Sequence, residues 1–338
     1  MKNEILRRLS ALALGLALLL NAAPLPQAFA VEDDTDASSS DSADSTDTTD
    51  KTVVTTADSD PTVTAAAANA PALDATAALL VSPESDMVLY EKNADEKRYP
   101  ASTTKIMTAL LTLENVSDLS AVVTAEASDF ENVTADSSNA GIKLGEQVTV
   151  KDLLYALMLP SANEAAYMLA RHVSGSWEQF VDMMNERAAE LGCTGTHFCN
   201  PCGLHEDDHY TTAHDLYRIA KQAMKDATFR DIVSTVQHRM AKTNLHEERI
   251  ILTTNQLIFS SFQPWSYANC LGIKTGHTSQ ASNCFVGYAE YGDAKLFSVV
   301  LGCSSSSKEY PTIAASFTDT KSLCQWGFKN FTSKTLAR

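Results

Sequence analysis

The chain has 338 residues, of which 44% are hydrophobic and 20% charged, so it is long enough to bury one large core or two smaller ones. Its 42 acidic and 26 basic side chains give a formal net charge of −16. Nucleic-acid binding needs Lys and Arg to displace counterions from phosphates, so we exclude a nucleic-acid-binding function.

The first 30 residues have the layout of a secretory signal peptide. Lys2, Arg7 and Arg8 precede an apolar run over Leu12–Leu20, and the small-residue pattern Ala28-Phe29-Ala30 follows. This run is shorter than the roughly 20 residues that cross a bilayer. We therefore predict export with cleavage after Ala30, and an uncleaved N-terminal anchor stays open as the alternative.

Residues 31–72 consist mostly of Asp, Ser, Thr and Ala. Residues 31–60 alone carry ten acidic side chains against the single Lys51, a net charge of −9. With no aromatic residue and no apolar periodicity, such a segment cannot bury enough surface to offset its ordering entropy. The sequence predicts a disordered acidic tether over 31–72 and one globular domain over 73–338.

Apolar periodicity in this domain predicts strands near both ends and helices between them. Strands are predicted over Ala77–Val81, Met87–Glu91, Arg249–Thr253, Cys284–Tyr291 and Lys295–Gly302. Helices are predicted after Pro100 and over Val150–Met158, Glu164–His172, Trp177–Leu191, Thr212–Met224 and Tyr310–Phe328. This order predicts an α/β (α+β) domain whose antiparallel sheet pairs the two ends of the chain. No glycine-rich nucleotide motif follows a strand, so no nucleotide cofactor is expected.

A hydroxyl and an amine stand three residues apart at the start of the first predicted helix. This spacing puts Ser102 and Lys105 on one helix face. A serine hydroxyl is a weak nucleophile until a base takes its proton, and a lysine can be that base when desolvation or a nearby cation lowers its pKa. By itself the pair is a weak signal, because serine at a helix start is usually an N-cap.

Two further motifs follow, at separations of 59 and 113 residues. Ser161 and Asn163 come after a proline, which places a hydroxyl and an amide on a loop just before a helix. Lys274, Thr275 and Gly276 follow a short predicted strand. The order Ser-x-x-Lys, Ser-x-Asn, Lys-Thr-Gly is the motif set of serine enzymes that recognise penicillin.

With these motifs the sequence resembles the serine-type D-alanyl-D-alanine carboxypeptidases, the low-molecular-mass penicillin-binding proteins. The resemblance covers most of Leu73–Gly302, with matches at Tyr99-Pro100-Ala101, Val148–Leu154, Asn200–Leu204, Tyr210–Leu216, Thr254-Asn255 and Gly272–Thr278. It implies the fold of serine β-lactamases and D,D-peptidases, an antiparallel sheet with an all-helical subdomain. It also implies that 73–338 is the catalytic domain and that no cofactor is needed.

The resemblance implies catalytic roles for three residues. Ser102 would form an acyl-enzyme, Lys105 would be its general base, and Ser161 would pass a proton to the leaving D-alanine. The implied substrate is a peptidoglycan stem peptide ending in D-Ala-D-Ala, and β-lactams would be covalent inhibitors.

The same resemblance implies a substrate-binding set. Asn163 would hydrogen-bond a substrate amide, and Lys274 and Thr275 would hold the terminal carboxylate, beside Gly276. The backbone N–H of His277 would form the oxyanion hole together with that of the serine nucleophile.

Several alternatives stay open. A β-lactamase shares all three motifs, although no Glu-x-x-Leu-Asn follows Ser161. A D,D-endopeptidase and a non-catalytic wall-binding module are the others. We expect an extracytoplasmic protein, in the cell wall or periplasmic space, without a second C-terminal domain. Its attachment to the membrane stays open, since Asn330–Arg338 holds little apolar surface.

Two further patterns suggest metal binding. His205 and His209 frame a His-Glu-x-x-His sequence, as in zinc peptidases, but its composition is that of a loop, and the resemblance places it in a surface loop. We therefore predict no metal site. The seven cysteines, an odd number, leave at least one thiol unpaired, and a zinc site at Cys193, Cys199, Cys202 and His205 is a further alternative.

Overall fold

A computed structural model describes residues 52–53, 69–134, 137–259 and 263–331. The predicted signal peptide, residues 1–30, and most of the predicted tether, residues 31–72, lie outside the described residues. Within these ranges, no helix has both the length and the apolar character needed to cross a membrane.

Strands occur mainly near the two ends of the described chain, and helices fill its middle, as predicted. The strands are Thr52–Val53 (β1), Ala77–Ser82 (β2), Met87–Lys92 (β3), Val122–Thr124 (β4), Gln147–Thr149 (β5), Gln237–Met240 (β6), Arg249–Leu252 (β7), Cys270–Thr278 (β8), Ser282–Tyr291 (β9) and Ala294–Cys303 (β10). The α-helices are Lys105–Asn115 (α1), Val150–Met158 (α2), Asn163–Ser174 (α3), Trp177–Glu190 (α4), Ala213–Ala223 (α5), Ala227–Ser234 (α6), Gln256–Phe259 (α7) and Ala315–Asn330 (α8).

The main sheet has six antiparallel strands in the order β1-β3-β2-β10-β9-β8. Leu79 of β2 lies opposite Val299 of β10, so the ends of the domain pair as the sequence predicts. Alternate residues of β2 face opposite sides of the sheet. Leu79 packs with the helices of the middle of the chain, whereas Leu80 packs with α8. Helices therefore cover both faces of the sheet.

A mainly helical subdomain, which also holds the two-stranded sheets β4-β5 and β6-β7, forms between β3 and β8, and α1 is its central helix. This helix contacts α2, α3, α4, α5 and α6. Every residue from Lys105 to Thr112 is consequently buried. The first residue of α1 therefore carries its amine into a dry environment, which bears on the chemistry described below.

Some details differ from the prediction. The predicted strand Arg249–Thr253 forms β7, but it pairs with β6 in a separate two-stranded sheet. The mostly polar sequence of β6 gave no strand signal. Asn163, predicted on a loop, is the first residue of α3. Lys274, predicted to follow a short strand, lies inside β8, because hydrogen bonds to β9 continue as far as Thr278.

Candidate active site

A cleft of about 390 Å³ opens between the mainly helical subdomain and β8, the edge strand of the main sheet. Six of the eight predicted site residues line it: Ser102, Ser161, Asn163, Thr275, Gly276 and His277. The other two, Lys105 and Lys274, are 0% and 1% exposed and lie behind this surface. The fold thus gathers residues from three distant parts of the sequence around one cleft.

Ser102 lies on a tight 3₁₀ turn, Ala101–Thr104, that leads directly into α1. Ala101 has a φ of +47°, which L-residues rarely adopt. Two glycines let other segments close in on this turn. A Cβ on Gly203 would lie 1.9 Å from the carbonyl oxygen of Ala101, and one on Gly276 would lie 3.2 Å from the backbone nitrogen of Ser102. The turn is therefore fixed from two sides, by the loop between α4 and α5 and by β8.

The side chain of Lys105 contacts Ser102 directly. Its Nζ lies 3.0 Å from Ser102 Oγ and 2.7 Å from both Asn163 Oδ1 and the carbonyl oxygen of Cys202. Burial lowers the pKa of Lys105 from 10.5 to about 8, because the charged form loses its hydration. In the neutral amine, the two carbonyl oxygens accept the two N–H groups. The charged form donates to Ser102 Oγ, whereas the neutral form has a lone pair that can accept the proton of Ser102.

Ser161 and Asn163 approach the same point from the start of α3. Ser161 has a φ of +66°, and its Oγ is buried without a hydrogen-bond partner among the residues that the structure describes. Buried hydroxyls normally have a partner, so this group is free to bond an atom of a molecule in the cleft. Asn163 is 4% exposed and presents Oδ1 to Lys105.

Lys274 and Thr275 approach the cleft from β8. Lys274 donates a hydrogen bond to the carbonyl oxygen of Thr275 at 3.0 Å. Its burial and the charge of Lys105 hold the pKa of Lys274 well below 10.5. In the described ranges no carboxylate forms an ion pair with Lys274. A buried amine without an ion-pair partner is stabilised in its charged form by an anion that binds beside it, which suits it to a carboxylate ligand.

The cleft also contains groups to which sequence analysis gave no role. Thr254 Oγ1 lies 2.6 Å from Thr275 Oγ1, and Ser137 and Ser138 line the opposite side. Glu164, which follows Asn163, is 1% exposed. Acidic residues are common in the first turn of a helix because they complement its dipole, so the sequence did not distinguish Glu164.

The His-Glu-x-x-His segment forms a loop, as predicted, but its second histidine does not lie on the surface. His209 is 2% exposed: Nε2 lies 2.8 Å from Thr104 Oγ1, and Nδ1 accepts a hydrogen bond from the backbone of Cys199. Burial lowers the pKa of His209 to about 3. The predicted surface position is therefore wrong for His209, because the loop folds against the turn that carries Ser102. Within the described ranges, no group of three or more His, Cys, Asp or Glu could hold a metal, and all seven cysteines are free thiols.

Comparison with known proteins agrees with this geometry. The profile of the peptidase S11 family, D-alanyl-D-alanine carboxypeptidase, matches residues 64–305. The chain belongs to this family. The expected resemblance to serine-type D-alanyl-D-alanine carboxypeptidases is thereby confirmed.

Two curated S11-type relatives show how far the likeness extends. D-alanyl-D-alanine carboxypeptidase DacF of Bacillus subtilis is 34% identical over 233 residues, which cover 69% of this chain and 58% of that protein. The D-alanyl-D-alanine carboxypeptidase of Streptomyces strain K15 is 36% identical over 253 residues, covering 71% of this chain and 82% of that protein. The chain thus spans little more than half the length of the Bacillus relative.

A solved structure extends the comparison to three dimensions. The crystal structure of the Streptomyces K15 DD-transpeptidase matches with a TM-score of 0.69 and 33% identity, over 77% of this chain and 99% of that one. The predicted fold, an antiparallel sheet with helices of the D,D-peptidase type, is therefore confirmed, although the subdomain predicted to be all-helical also holds two two-stranded sheets.

Proposed function

We propose that this chain is a serine D-alanyl-D-alanine carboxypeptidase that forms an acyl-enzyme on Ser102. One observation carries the proposal: a buried lysine whose pKa is lowered to about 8 lies 3.0 Å from the serine hydroxyl, with its other two contacts on carbonyl oxygens. Membership of the S11 family supports the same reaction.

The substrate is a peptidoglycan stem peptide ending in D-Ala-D-Ala, bound along β8. Lys274 and Thr275 hold its terminal carboxylate, and the bound carboxylate favours the charged form of Lys274. Asn163 bonds a substrate amide. Because Gly276 has no side chain, β8 packs closely against the turn of Ser102, so a peptide bound along β8 lies near the nucleophile.

Acylation begins when Ser102 Oγ attacks the carbonyl carbon of the penultimate D-alanine and its proton passes to Lys105 Nζ. The backbone N–H groups of Ser102 and His277 stabilise the oxyanion. The C–N bond then breaks as Ser161 Oγ–H gives its proton to the leaving amine of D-alanine, and Ser161 is reprotonated by the proton that Lys105 took from Ser102. Water hydrolyses the ester and regenerates the serine. A β-lactam acylates the same serine and acts as a covalent inhibitor.

We further propose an extracytoplasmic location in the cell wall or periplasmic space. Residues 1–30 act as the signal peptide, 31–72 as an acidic tether and 73–338 as the catalytic domain. A secreted enzyme of this kind trims stem peptides during cell-wall biogenesis and so influences cell shape. N-terminal sequencing of the exported protein tests this division, and a mature chain that does not begin at Val31 contradicts the proposed cleavage site.

The acyl-enzyme is tested by following the intact mass of residues 31–338 after mixing with benzylpenicillin. We expect a stable adduct that maps to Ser102, no adduct for Ser102→Ala, and an unchanged adduct for Ser234→Ala, a matched change at the exposed last residue of α6. Retained acylation or D-alanine release in Ser102→Ala would overturn the serine mechanism.

Product analysis then separates the related activities. Release of one D-alanine from a synthetic pentapeptide identifies a carboxypeptidase. Transfer of the acyl group to an added amine identifies a transpeptidase, the activity named for the Streptomyces K15 structure. Cleavage of cross-linked dimers identifies an endopeptidase, and rapid turnover of the penicillin identifies a β-lactamase.

A further inference from the structure

Glu164 is a buried carboxylate whose two oxygens have different surroundings. Oε1 accepts hydrogen bonds from the backbone N–H groups of Ala140 at 2.6 Å and Ile142 at 3.5 Å. Oε2 is buried and has no hydrogen-bond partner among the described residues. Leaving a carboxylate oxygen buried and unpaired is costly, so a role beyond packing is expected.

The segment that Glu164 holds forms one side of the cleft. Residues 137–142 carry Ser137 and Ser138, both of which line it. The carbonyl oxygen of Ser138 accepts a hydrogen bond from the backbone N–H of Asn163 at 2.9 Å. Two consecutive residues at the start of α3 thus bind this segment at separate points, through a backbone N–H and through a carboxylate.

The charge of Glu164 also acts on the buried amine of Lys105. Three other titratable groups interact electrostatically with this amine: the Cys202 thiol, the Lys274 amine and the His209 imidazole. Of these four groups, Glu164 is the one that carries a carboxylate. Its negative charge raises the pKa of Lys105, and burial raises the pKa of Glu164 itself.

We propose that Glu164 is a positioning residue of the active site, which holds segment 137–142 against α3 and supplies the negative charge that Lys105 faces. This inference rests on the proposed function, because it concerns the residue that takes the proton from Ser102. It assigns two separable tasks to one carboxylate, a mechanical one through Oε1 and an electrostatic one through its charge.

Two substitutions separate these tasks. Glu164→Gln keeps the size and an oxygen acceptor but removes the charge, whereas Glu164→Asp keeps the charge and shortens the side chain. The matched control is Glu178→Gln, an exposed acid in the first turn of α4. The readouts are the second-order rate of acylation by benzylpenicillin as a function of pH, and the melting temperature.

The acylation rate should rise with pH as Lys105 loses its proton. Removing a neighbouring negative charge favours the neutral amine, so Glu164→Gln should move this rise to lower pH by about one unit. Glu164→Asp should leave the midpoint unchanged and lower the rate about 3–10-fold, the effect of weakening one hydrogen bond to a charged group. Glu178→Gln should match the wild type in both the midpoint pH and the rate of acylation.

An unshifted pH profile in folded Glu164→Gln overturns the electrostatic task, and a normal rate in Glu164→Asp overturns the mechanical one. If Glu164→Gln does not fold, the wild type labelled with ¹³C at its glutamate carboxyl carbons decides the charge. The wild-type resonance that is absent from the spectrum of Glu164→Asp belongs to Glu164. Its chemical shift at pH 7 should be that of an ionised carboxylate, and the shift of a protonated carboxyl group overturns the inference. Failure of the wild type to be acylated would instead refute the proposed function.

Discussion

The two sides of the cleft each bury a lysine, but they surround it differently. On the helical side, Lys105 has three oxygen partners within 3.0 Å and the carboxylate of Glu164 nearby. On the β8 side, Lys274 donates to one backbone carbonyl oxygen, and the charge that acts on it is that of Lys105. Within the described residues Lys105 thus has its polar partners in place, whereas we propose that Lys274 receives its counter-charge from the carboxylate of the substrate.

The largest effect is expected from Lys105→Met, which removes the amine from the helical side. Without a base for the serine proton, acylation by benzylpenicillin should slow by about 10²–10⁴-fold, the usual contribution of a general base. Stopped-flow or intact-mass kinetics measures this rate. Lys151→Met, on the exposed face of α2, is the control and should react like the wild type. Near-normal acylation of Lys105→Met would show that another group takes the proton.

Lys274→Gln tests whether the β8 side is completed by a carboxylate. It removes a charge-assisted hydrogen bond, so kcat/KM for a D-Ala-D-Ala peptide should fall about 10–100-fold. A peptide whose C-terminal carboxylate is replaced by an amide should lose little with the same variant. Equal losses on both peptides would contradict a carboxylate-binding role.

The pH dependence of carboxylate binding also tests the difference between the surroundings of Lys105 and Lys274. In the free protein the pKa of Lys274 is depressed, and a bound carboxylate raises it, so binding takes up a proton wherever the pH lies between the two values. Affinity for D-alanine, the product whose carboxylate Lys274 would hold, should therefore weaken as the pH rises through this window. Calorimetry in buffers of different ionisation enthalpy measures the proton uptake, and its absence would mean that Lys274 is already charged.

A smaller effect is expected from Thr254→Val. This change keeps the shape but removes the hydroxyl that lies 2.6 Å from Thr275 Oγ1. Loss of a neutral hydrogen bond costs about 0.5–1.5 kcal/mol, so kcat/KM should fall about 2–10-fold while acylation chemistry is retained. Steady-state kinetics on the peptide measures this, and a loss as large as that of Lys274→Gln would give Thr254 a more direct role.

Local patterns predicted most of the elements that carry the site. The spacing of apolar residues gave Val150–Met158 without error and placed α4 and α5 within a residue at either end, because apolar residues recur at helical spacing in all three helices. It gave no signal for α6, an eight-residue helix, or for polar β6. Their conformation depends on packing against other parts of the chain, which a local pattern does not contain.

The residues of the site were predictable as a set, but their environments were not. The three motifs named Lys105 and Lys274, yet nothing in the sequence shows that both are buried or that their pKa values fall. Burial of α1 arises from contacts with helices far away in the chain. Glu164 was missed because the segment it binds, 137–142, has no distinguishing sequence pattern.

The pairing of β2 with β10 has a consequence for how the protein comes to be folded. Leu79 and Val299 lie side by side in the sheet but are 220 positions apart in the chain. Such a high contact order slows folding and delays it until almost the whole polypeptide is available. A product truncated before Ala294 would contain every residue of the three motifs. It would nevertheless leave β2 and β9 without their common neighbour, and so could not hold β8 against the turn of Ser102.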